Sequence, residues 1–388
     1  MTHSGEAPLR ADPGRCLRVR AHAALACQTG GVANETQRQH DGDQRRSLAG
    51  RGEAADLLER VAVEVEHVIV GQQRMVERML VALLARGHCL LEGVPGVAKT
   101  LAVSTLATVV GGSFARLQFT PDLVPSDVMG TRVYRGSTGE FDVELGPVFV
   151  NFVLADEINR APAKVQSALL EVMAEGQVSL GGRTYPVPQP FLVLATQNPI
   201  ESEGVYALPE AQRDRFLMRV QVPYPRPSEE LEIVRRMGTR PPVAQQVLQA
   251  GELQALQETA EDVFVHHAVA EYAVRLVLGT REPATYGIGS LVGALSYGAS
   301  PRASLGLVAG ARALALLRGR DYVVPADVAD VAPEVLAHRL VLSYDALAEG
   351  AAPERLIDML LGATPQPRIA ARQVSGTAPE TATEWESG

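Results

Sequence analysis

The sequence is poor in cysteine and has no long apolar run. Its three cysteines, at positions 16, 27 and 89, are too few and too scattered for a disulfide framework or a cysteine zinc site. No apolar run reaches the roughly 18 residues that a membrane-spanning helix needs. The apolar stretch at residues 17–27 is short and is interrupted by Arg18 and Arg20, which argues against an export signal. These absences exclude a disulfide-stapled secreted domain and a membrane-embedded protein, and they predict free thiols in a reducing cytoplasm.

Basic residues are outnumbered by acidic ones. The 388 residues include 36 Lys and Arg against 45 Asp and Glu, a formal net charge of −9. This balance argues against a protein held non-specifically on nucleic acid or on an anionic membrane, because both need a basic excess. The 46% hydrophobic content excludes a wholly disordered chain, and the length fits two or three domains.

Lysine is rare in this chain. Only Lys99 and Lys164 occur, so 34 of the 36 basic residues are arginine. A lysine kept in such a chain indicates a position that needs a compact point charge. Lys99 is therefore a candidate functional residue before any motif is considered.

The apolar pattern predicts an α/β domain followed by a helical one. Residues 1–52 lack periodicity and predict a disordered arm, and residues 363–388 predict a flexible tail. Residues 53–225 alternate apolar strands with helices, which is typical of a parallel sheet covered by helices on both faces. Residues 226–362 predict a smaller all-α domain. The strand candidates are residues 88–91, 115–119, 148–155, 191–196 and 216–222, and the helix candidates include residues 99–110 and Ala163–Glu175.

A glycine-rich turn between a strand and a helix carries the first chemical signal, GVPGVAKT at residues 93–100. Glycines let backbone N–H groups converge on phosphate oxygens, and the lysine and hydroxyl that follow suit the β/γ-phosphates and Mg²⁺. Ala98 stands where the P-loop consensus has glycine, so we expect it to adopt right-handed helical φ and ψ angles. The alternative to a phosphate-binding loop is an ordinary strand-to-helix turn without a ligand. The candidate nucleotide-binding residues are Gly93, Val94, Pro95, Gly96, Val97, Ala98, Lys99 and Thr100.

Polar residues at the ends of two apolar strands carry the second signal. Asp156 and Glu157 end one strand, where carboxylates are rare unless they have a partner. In a P-loop NTPase the aspartate holds Mg²⁺ through water and the glutamate polarises the attacking water. Asn198 follows the next strand and is placed to orient that water against the γ-phosphate. The alternatives are an acidic turn and a simple Asn-Pro turn.

Two arginines stand at positions suited to phosphoryl transfer. Arg215 precedes a strand candidate, and Arg302 begins a helix of the second domain. A guanidinium that reaches the γ-phosphate offsets the charge that develops in the transition state. Most arginines in such a chain are solvated surface groups, so these residues taken singly favour no role.

The order of these motifs and the residues in them resemble the MoxR family of AAA+ ATPases. The resemblance covers about residues 55–360 and leaves out only the two tails. The MoxR pattern also has alanine at the position of Ala98, whereas Arg213 stands where the family usually has an apolar residue. The matching segments are VIVGQQ (68–73), LLEGVPGVAKT (90–100), LQFTPDLVPSDVMGT (117–131), LADEINRAPAKVQSALLEVM (154–173), LATQNPIESEGVYALPEAQRDRF (194–216) and YGASPRASLGLVAGARALALLRGRDYVVPADV (297–328).

The resemblance implies an ATP site with Mg²⁺ and two pore hairpins. Residues 117–131 would form the first hairpin, and residues 177–188 the second, with Gly181 and Gly182 at its tip. Both hairpins would point into the pore of a ring. The implied site roles are Walker A for Lys99 and Thr100, Walker B for Asp156 and Glu157, Mg²⁺ binding for Thr100 and Asp156, sensor 1 for Asn198, sensor 2 for Arg302, arginine finger for Arg215, and adenine contact for Val70 and Gly71.

The resemblance further implies an assembly and a task. A finger inserted into the neighbour's site leaves each subunit incomplete, so the active form would be a homo-oligomeric ring, expected to be a hexamer. Loss of the γ-phosphate would change the angle between lid and core. MoxR proteins resemble chaperones that mature or activate client proteins, often with a partner that carries a von Willebrand A domain.

Three other functions stay open at this point. A nucleic-acid motor or loader would share the same core, although residues 177–188 contain only one basic residue, Arg183. A nucleotide-gated scaffold would bind ATP and hardly hydrolyse it, although Glu157, Asn198 and Arg215 would then have no use. The amino-acid sequence of residues 93–100 disfavours a magnesium-chelatase-type motor subunit.

Overall fold

The structure is a computed structural model that describes residues 52–368 with gaps at 138, 199–205, 239 and 250. Almost all of the predicted N-terminal arm and most of the predicted C-terminal tail lie outside the described residues. The helices in the described part include none that is long and apolar enough to cross a membrane.

Strands and helices alternate in the first two thirds of the described residues, and helices dominate the last third. The strands are β1 (Cys89–Glu92), β2 (Phe114–Gln118), β3 (Gly130–Arg135), β4 (Glu140–Leu145), β5 (Phe152–Asp156), β6 (Gln177–Leu180), β7 (Arg183–Pro186), β8 (Leu192–Gln197), β9 (Met218–Gln221), β10 (Leu295–Tyr297) and β11 (Val341–Leu342). The helices are α1 (52–68), α2 (Gln73–Leu84), α3 (Lys99–Val109), α4 (Pro125–Met129), α5 (Ala163–Glu175), α6 (Glu210–Arg213), α7 (Pro227–Met237), α8 (Glu252–Glu261), α9 (His267–Arg281), α10 (Pro301–Leu317), α11 (Pro325–Leu336), α12 (Tyr344–Ala348) and α13 (Pro353–Ala363).

A five-stranded sheet in the order β2-β5-β8-β1-β9 forms the centre of the first part, and every neighbouring pair is parallel. Side chains alternate between the two faces: on β1, Cys89 and Leu91 join one buried cluster and Leu90 joins the other. Because both faces are covered, the strands read as continuous apolar runs. This confirms the predicted α/β fold, and it brings the carboxyl ends of β1, β5 and β8 to one edge.

Helix boundaries were easier to predict than strand boundaries. α5 spans Ala163–Glu175 as predicted, and α3 ends one residue before the predicted position 110. β5 begins at Phe152 rather than at residue 148, because the Asn151 N–H donates to the Ser113 hydroxyl at 3.0 Å and not to a strand carbonyl. Its side-chain oxygen accepts the Ser113 N–H at 3.1 Å, and its amide donates to the Pro190 carbonyl at 3.0 Å.

The predicted position of the first hairpin is wrong. Residues 117–131 contain the end of β2 and helix α4, and the hairpin is β3–β4. α4 forms because Pro125 in its first turn has no N–H to lose and because the Asp127 carboxylate accepts the Val124 N–H at 2.9 Å. The hairpin starts at Gly130, whose φ of +98° favours glycine.

The second hairpin is where it was predicted. β6 and β7 pair in antiparallel fashion and are joined by Gly181 and Gly182, with φ angles of +58° and +81°. A two-residue turn with both φ angles positive matches the twist of its strands. The two hairpins meet, since a Cβ atom on Gly181 would lie 2.1 Å from the Arg132 side chain of β3.

Helices α7–α13 make up the rest of the described chain, together with the short antiparallel pair β10–β11. α10 lies at the centre of this part and contacts α2, α8, α9 and α11. Leu307, Ala311 and Leu314 on this helix have no exposed surface. Gly310 lets the helix approach the sheet, because a Cβ atom there would lie 3.0 Å from the Met218 side chain of β9.

A buried ion-pair network joins α2 to α11. Arg78 has no exposed surface, and its guanidinium donates to Glu77 at 2.8 Å and to Asp330 at 2.7 Å. Its Nε lies 3.4 Å from Glu334, which also accepts from Arg74 at 2.6 Å. A charge buried this deeply is tolerated only because these partners surround it.

Replacing Arg78 by Met is expected to lower the free energy of unfolding by about 1–3 kcal/mol, because Asp330 and Glu334 lose a buried donor although Arg74 and Arg318 still pair with them. Arg86→Met is the matched control, since Arg86 pairs with Glu261 at 2.6 Å on the surface. Its loss should cost about 1 kcal/mol at most. Urea denaturation of both variants measures the difference, and equal costs would contradict the account.

Candidate nucleotide-binding site

A cleft of about 390 Å³ opens at the edge of the sheet where β1, β5 and β8 end. Open parallel sheets bind ligands at this edge. Eight of the predicted site residues line the cleft, together with three that were not predicted. The lining residues are Pro95, Gly96, Ala98, Lys99, Thr100, Leu101, Arg116, Asp156, Glu157, Thr196 and Asn198.

The turn between β1 and α3 forms one wall of the cleft. Only glycine fits at position 93, because a Cβ atom on Gly93 would lie 2.5 Å from a backbone carbonyl oxygen beyond β9. The Lys99 ammonium donates to the Gly93 carbonyl, which curls the side chain back over the turn. Burial lowers the pKa of Lys99, and the nearby carboxylates of Asp156, Glu157 and Glu92 oppose that lowering. The Val97 side chain belongs to the buried core, so only its backbone is available to a ligand, and the half-buried Val94 packs against that core.

The predicted conformation of Ala98 is wrong. Its φ of +63° and ψ of +18° are left-handed, although the helix begins at the next residue. In this region the Cβ atom crowds the following carbonyl oxygen, which costs about 1–2 kcal/mol for residues other than glycine. The turn therefore keeps the glycine-like geometry of a phosphate loop in spite of the methyl group.

Replacing Ala98 by Val is expected to lower the free energy of unfolding by about 2 kcal/mol, because a β-branched side chain is an outlier in the left-handed region. Ala98→Gly is the matched control and should not lower it, since glycine adopts this conformation freely. Urea denaturation in the absence of nucleotide measures both. A valine variant as stable as the glycine variant would contradict the assignment of strain.

Asp156 lies at the carboxyl end of β5 with both carboxylate oxygens in hydrogen bonds. Its Oδ1 accepts the Thr196 hydroxyl at 2.6 Å. Its Oδ2 accepts two groups of Arg116, Nη2 at 2.6 Å and Nε at 3.1 Å. These contacts hold the carboxylate facing the cleft, where only 13% of its side chain is exposed.

Glu157 follows with a left-handed backbone, φ +56°. Its N–H donates to the Thr196 hydroxyl at 2.9 Å, which anchors the backbone to β8. Its Oε2 accepts the Gln118 amide at 2.8 Å and lies 3.0 Å from the Arg160 Nε. The strained turn and these partners aim the carboxylate along the cleft wall.

The donors in the cleft suit a magnesium ion carried by a phosphate ligand. The described residues contain no group of three or more His, Cys, Asp or Glu side chains that could hold a metal unaided. Asp156 and Thr100 supply one carboxylate and one hydroxyl to the same cleft. Mg²⁺ prefers such oxygen ligands, and it usually binds through one or two carboxylates, waters and substrate phosphates. The residues therefore fit the ion.

Seven of the fifteen predicted site residues do not line this cleft. Gly93, Val94 and Val97 belong to the turn that forms its wall, and the other four lie elsewhere. Gly71 lies against α7, since a Cβ atom added to it would lie 2.9 Å from the Glu229 side chain. Its neighbour Gln72 donates to the Pro223 carbonyl at 2.8 Å. Val70 precedes this pair, so the predicted adenine segment lies beside the end of β9. Arg215 and Arg302 are the other two.

Arg215 and Arg302 lie near Asp214, away from the lining of the cleft. The exposed Arg215 donates to the Leu170 carbonyl at α5. The Arg302 Nη1 lies 3.6 Å from Asp214, with 57% of its side chain exposed. Ser300 donates to the same carboxylate at 2.8 Å.

Sequence reasoning missed Arg116, Gln118 and Thr196. Arg116 and Gln118 are two residues apart on β2 and so share a side of the strand. In the parallel register Gln118 stands beside Asp156, which brings Arg116 to the cleft and Gln118 to Glu157. That register is a tertiary fact, so only the polar alternation at the end of β2 could have indicated them. Thr196 had a plainer signal, since it is the penultimate residue of the buried strand β8, two positions before the predicted Asn198.

Two parts of the chain match known families. Residues 88–218 match the ATPase family associated with various cellular activities (AAA), and residues 293–359 match the AAA lid domain. A crystal structure from Cytophaga hutchinsonii superposes with a TM-score of 0.79 at 44% identity, covering 85% of this chain and 99% of that one.

Several curated relatives share most of the described region. Chaperone MoxR1 of Mycobacterium tuberculosis is 62% identical over 320 residues, 82% of this chain and 85% of that protein. YeaC of Bacillus subtilis is 42% identical over 313 residues, 80% and 95% of the two chains. Protein MoxR of Methylorubrum extorquens is 35% identical over 305 residues, 74% and 88% of the two chains. The chain thus belongs to the MoxR family of AAA+ ATPases.

Proposed function

We propose that this chain is an ATP-hydrolysing, chaperone-like remodeller that acts as a ring and matures or activates client proteins. The convergence of Lys99, Asp156, Glu157 and Asn198 in one cleft carries the proposal. A protein that only bound nucleotide would need the lysine and the aspartate. The addition of a carboxylate and an amide beside them favours turnover.

Nucleotide binding falls to the turn at residues 93–98 and to Lys99. Backbone N–H groups of the turn would surround the phosphates, and the Lys99 ammonium would exchange the Gly93 carbonyl for phosphate oxygens. Thr100 and Asp156 would hold Mg²⁺, which supplies charge neutralisation to the β- and γ-phosphates. The half-buried position of Lys99 strengthens its attraction for phosphate.

Hydrolysis falls to Glu157 and Asn198. Glu157 would accept a proton from the attacking water, and its contacts with Gln118 and Arg160 describe a resting position from which it must turn. Asn198 is 6% exposed and follows β8, so its amide is held firmly enough to orient that water.

The ring is proposed from the positions of Arg215 and Arg302, which line no part of the subunit's own cleft. Arg215 would enter the site of a neighbouring subunit and stabilise the charge that develops there. Arg302 is proposed as the sensor on the lid, so that nucleotide state would alter its ion pair with Asp214. We keep a hexamer as the proposed size.

The remodelling role is proposed from the two hairpins and from the relatives. β3–β4 exposes Tyr134 and Phe141 to 58% and 61%, which suits contact with a protein client. We propose that both hairpins face the pore, that a von Willebrand A domain protein is a partner, and that the compartment is the cytoplasm. The domain boundaries at residues 53–225 and 226–362 remain our proposal.

Replacing Lys99 by Ala is expected to raise the Kd for Mg²⁺–ATP by about 100-fold, because charge-assisted contacts worth about 3 kcal/mol are lost. The chain offers a matched control in Lys164→Ala, since this other lysine is exposed on α5 outside the cleft. Binding of a fluorescent ATP analogue measures both variants. If Lys99→Ala binds as tightly as Lys164→Ala, the phosphate-loop assignment fails.

A further inference from the structure

Arg116 holds the carboxylate that the proposed metal site requires. Both of the N–H groups that Arg116 gives to Asp156 end on the same oxygen, Oδ2, at 2.6 Å and 3.1 Å. Two donors use up the acceptor capacity of one carboxylate oxygen. The other oxygen, Oδ1, already accepts the Thr196 hydroxyl. Oδ1 therefore keeps one acceptor site, whereas a cation, or a water that it carries, can bind Oδ2 only by displacing Arg116.

Of the two, the arginine is the movable member. Half of the Arg116 side chain is exposed, against 13% for Asp156. Asp156 is anchored from β8 by Thr196, whereas Arg116 has one further side-chain contact, from its Nη2 to Gln118 Oε1 at 3.0 Å. The long arginine side chain can leave for solvent without disturbing the sheet.

The other cation of the cleft does not take this place. The Lys99 ammonium donates to the Gly93 carbonyl, so the ion pair on Asp156 belongs to Arg116. Two cations on one carboxylate oxygen would repel each other and compete for the same lone pairs. Arg116 and a metal ion are for this reason alternative partners of Oδ2 of Asp156.

We propose that Arg116 is a positioning residue. It occupies Oδ2 of Asp156 while no metal is bound, and it leaves this oxygen when the metal–nucleotide complex binds. The proposal rests on the proposed function, because it assumes a nucleotide site in this cleft. Its consequence is a lower apparent affinity for the metal, since each binding event breaks an ion pair. For an ion pair with one half-exposed member, the change in apparent affinity is about fivefold.

The test uses the full chain, ADP and Mn²⁺ in place of Mg²⁺. Mn²⁺ is titrated at a fixed, subsaturating concentration of fluorescent ADP. The measured quantity is the free Mn²⁺ concentration at which metal-dependent ADP binding is half-saturated. Electron paramagnetic resonance counts the bound Mn²⁺ directly. Arg116→Gln should lower this concentration about fivefold. Arg116→Lys keeps the charge and should stay within about twofold of the wild type. Arg86→Gln removes a surface arginine paired with Glu261 and should not differ from the wild type.

Each outcome separates the two proposals. If Arg116→Gln leaves the half-saturating Mn²⁺ concentration unchanged or raises it, the role of Arg116 is overturned and the nucleotide site stands. Wild-type protein that binds no ADP at any Mn²⁺ concentration would overturn the proposed function, and the role of Arg116 with it. Thermal melts of the apo variants check folding, and a purely structural Arg116 would change the melting temperature without changing the Mn²⁺ requirement.

Discussion

Replacing Glu157 by Gln is expected to lower the rate of ATP hydrolysis by about 10³-fold and to leave ATP bound. The amide fills the same space, but it cannot accept a proton from water at neutral pH. Binding should persist because the turn at residues 93–98, Lys99 and Asp156 are untouched. Steady-state phosphate release measures the rate, and retention of radiolabelled ATP on a filter measures the trapped nucleotide.

The matched control for this variant is Glu171→Gln. Glu171 is an exposed acid on α5 that does not line the cleft, so its replacement should leave the rate within about twofold of the wild type. A Glu157→Gln variant that hydrolyses ATP as fast as this control would contradict the role of Glu157. Loss of binding together with loss of turnover would mean that Glu157 holds the nucleotide and does not activate water.

Replacing Arg215 by Ala is expected to lower turnover by about 10³-fold or more while ATP binding is kept, because the guanidinium acts on the transition state. Arg215 lines no part of its own cleft, so the defect should lie in the neighbour's site. Arg235→Ala is the control, since Arg235 is 68% exposed on α7 and its ion pair with Glu232 is long, at 3.9 Å. Steady-state phosphate release measures all variants.

Mixing two inactive variants tests whether the finger acts between subunits. A subunit with Arg215→Ala keeps its own Glu157, and a subunit with Glu157→Gln still offers Arg215. In a mixed ring, the first can receive the finger of the second, so part of the activity should return. Absence of any recovery in rings that are shown to be mixed by affinity tags would contradict action in trans.

The fold could be predicted where local chemistry decides the structure. Helix α5 was predicted to the residue because Pro162 and Gly176 flank it and its apolar residues keep helical spacing. The sheet followed from apolar strands that alternate with helices. The start of β5 could not be predicted, since the Asn151 N–H donates to a side chain of a distant segment, Ser113.

The candidate site, too, could be predicted only in part. Lys99, Asp156, Glu157 and Asn198 could be placed because each stands at the end of a buried strand or the start of a helix, and parallel topology gathers these points. Arg116 could not, because an arginine in a half-exposed strand resembles any solvated one until the register of β2 on β5 is known.

Backbone conformation set a further limit on the sequence analysis. The left-handed Ala98 contradicted the expected helical angles, since a helix that begins at Lys99 says little about the residue before it. The first hairpin was misplaced because the short helix α4, with its capping Asp127, lies between β2 and the turn that was expected.

Steady-state ATP hydrolysis per subunit, measured across protein concentration with Glu157→Gln as the blank, tests the central claim most directly. The account predicts turnover per subunit that rises with concentration as rings assemble and that vanishes in the variant. Nucleotide that is bound but not hydrolysed at any concentration would contradict it, and so would turnover per subunit that stays constant down to concentrations at which the protein is monomeric.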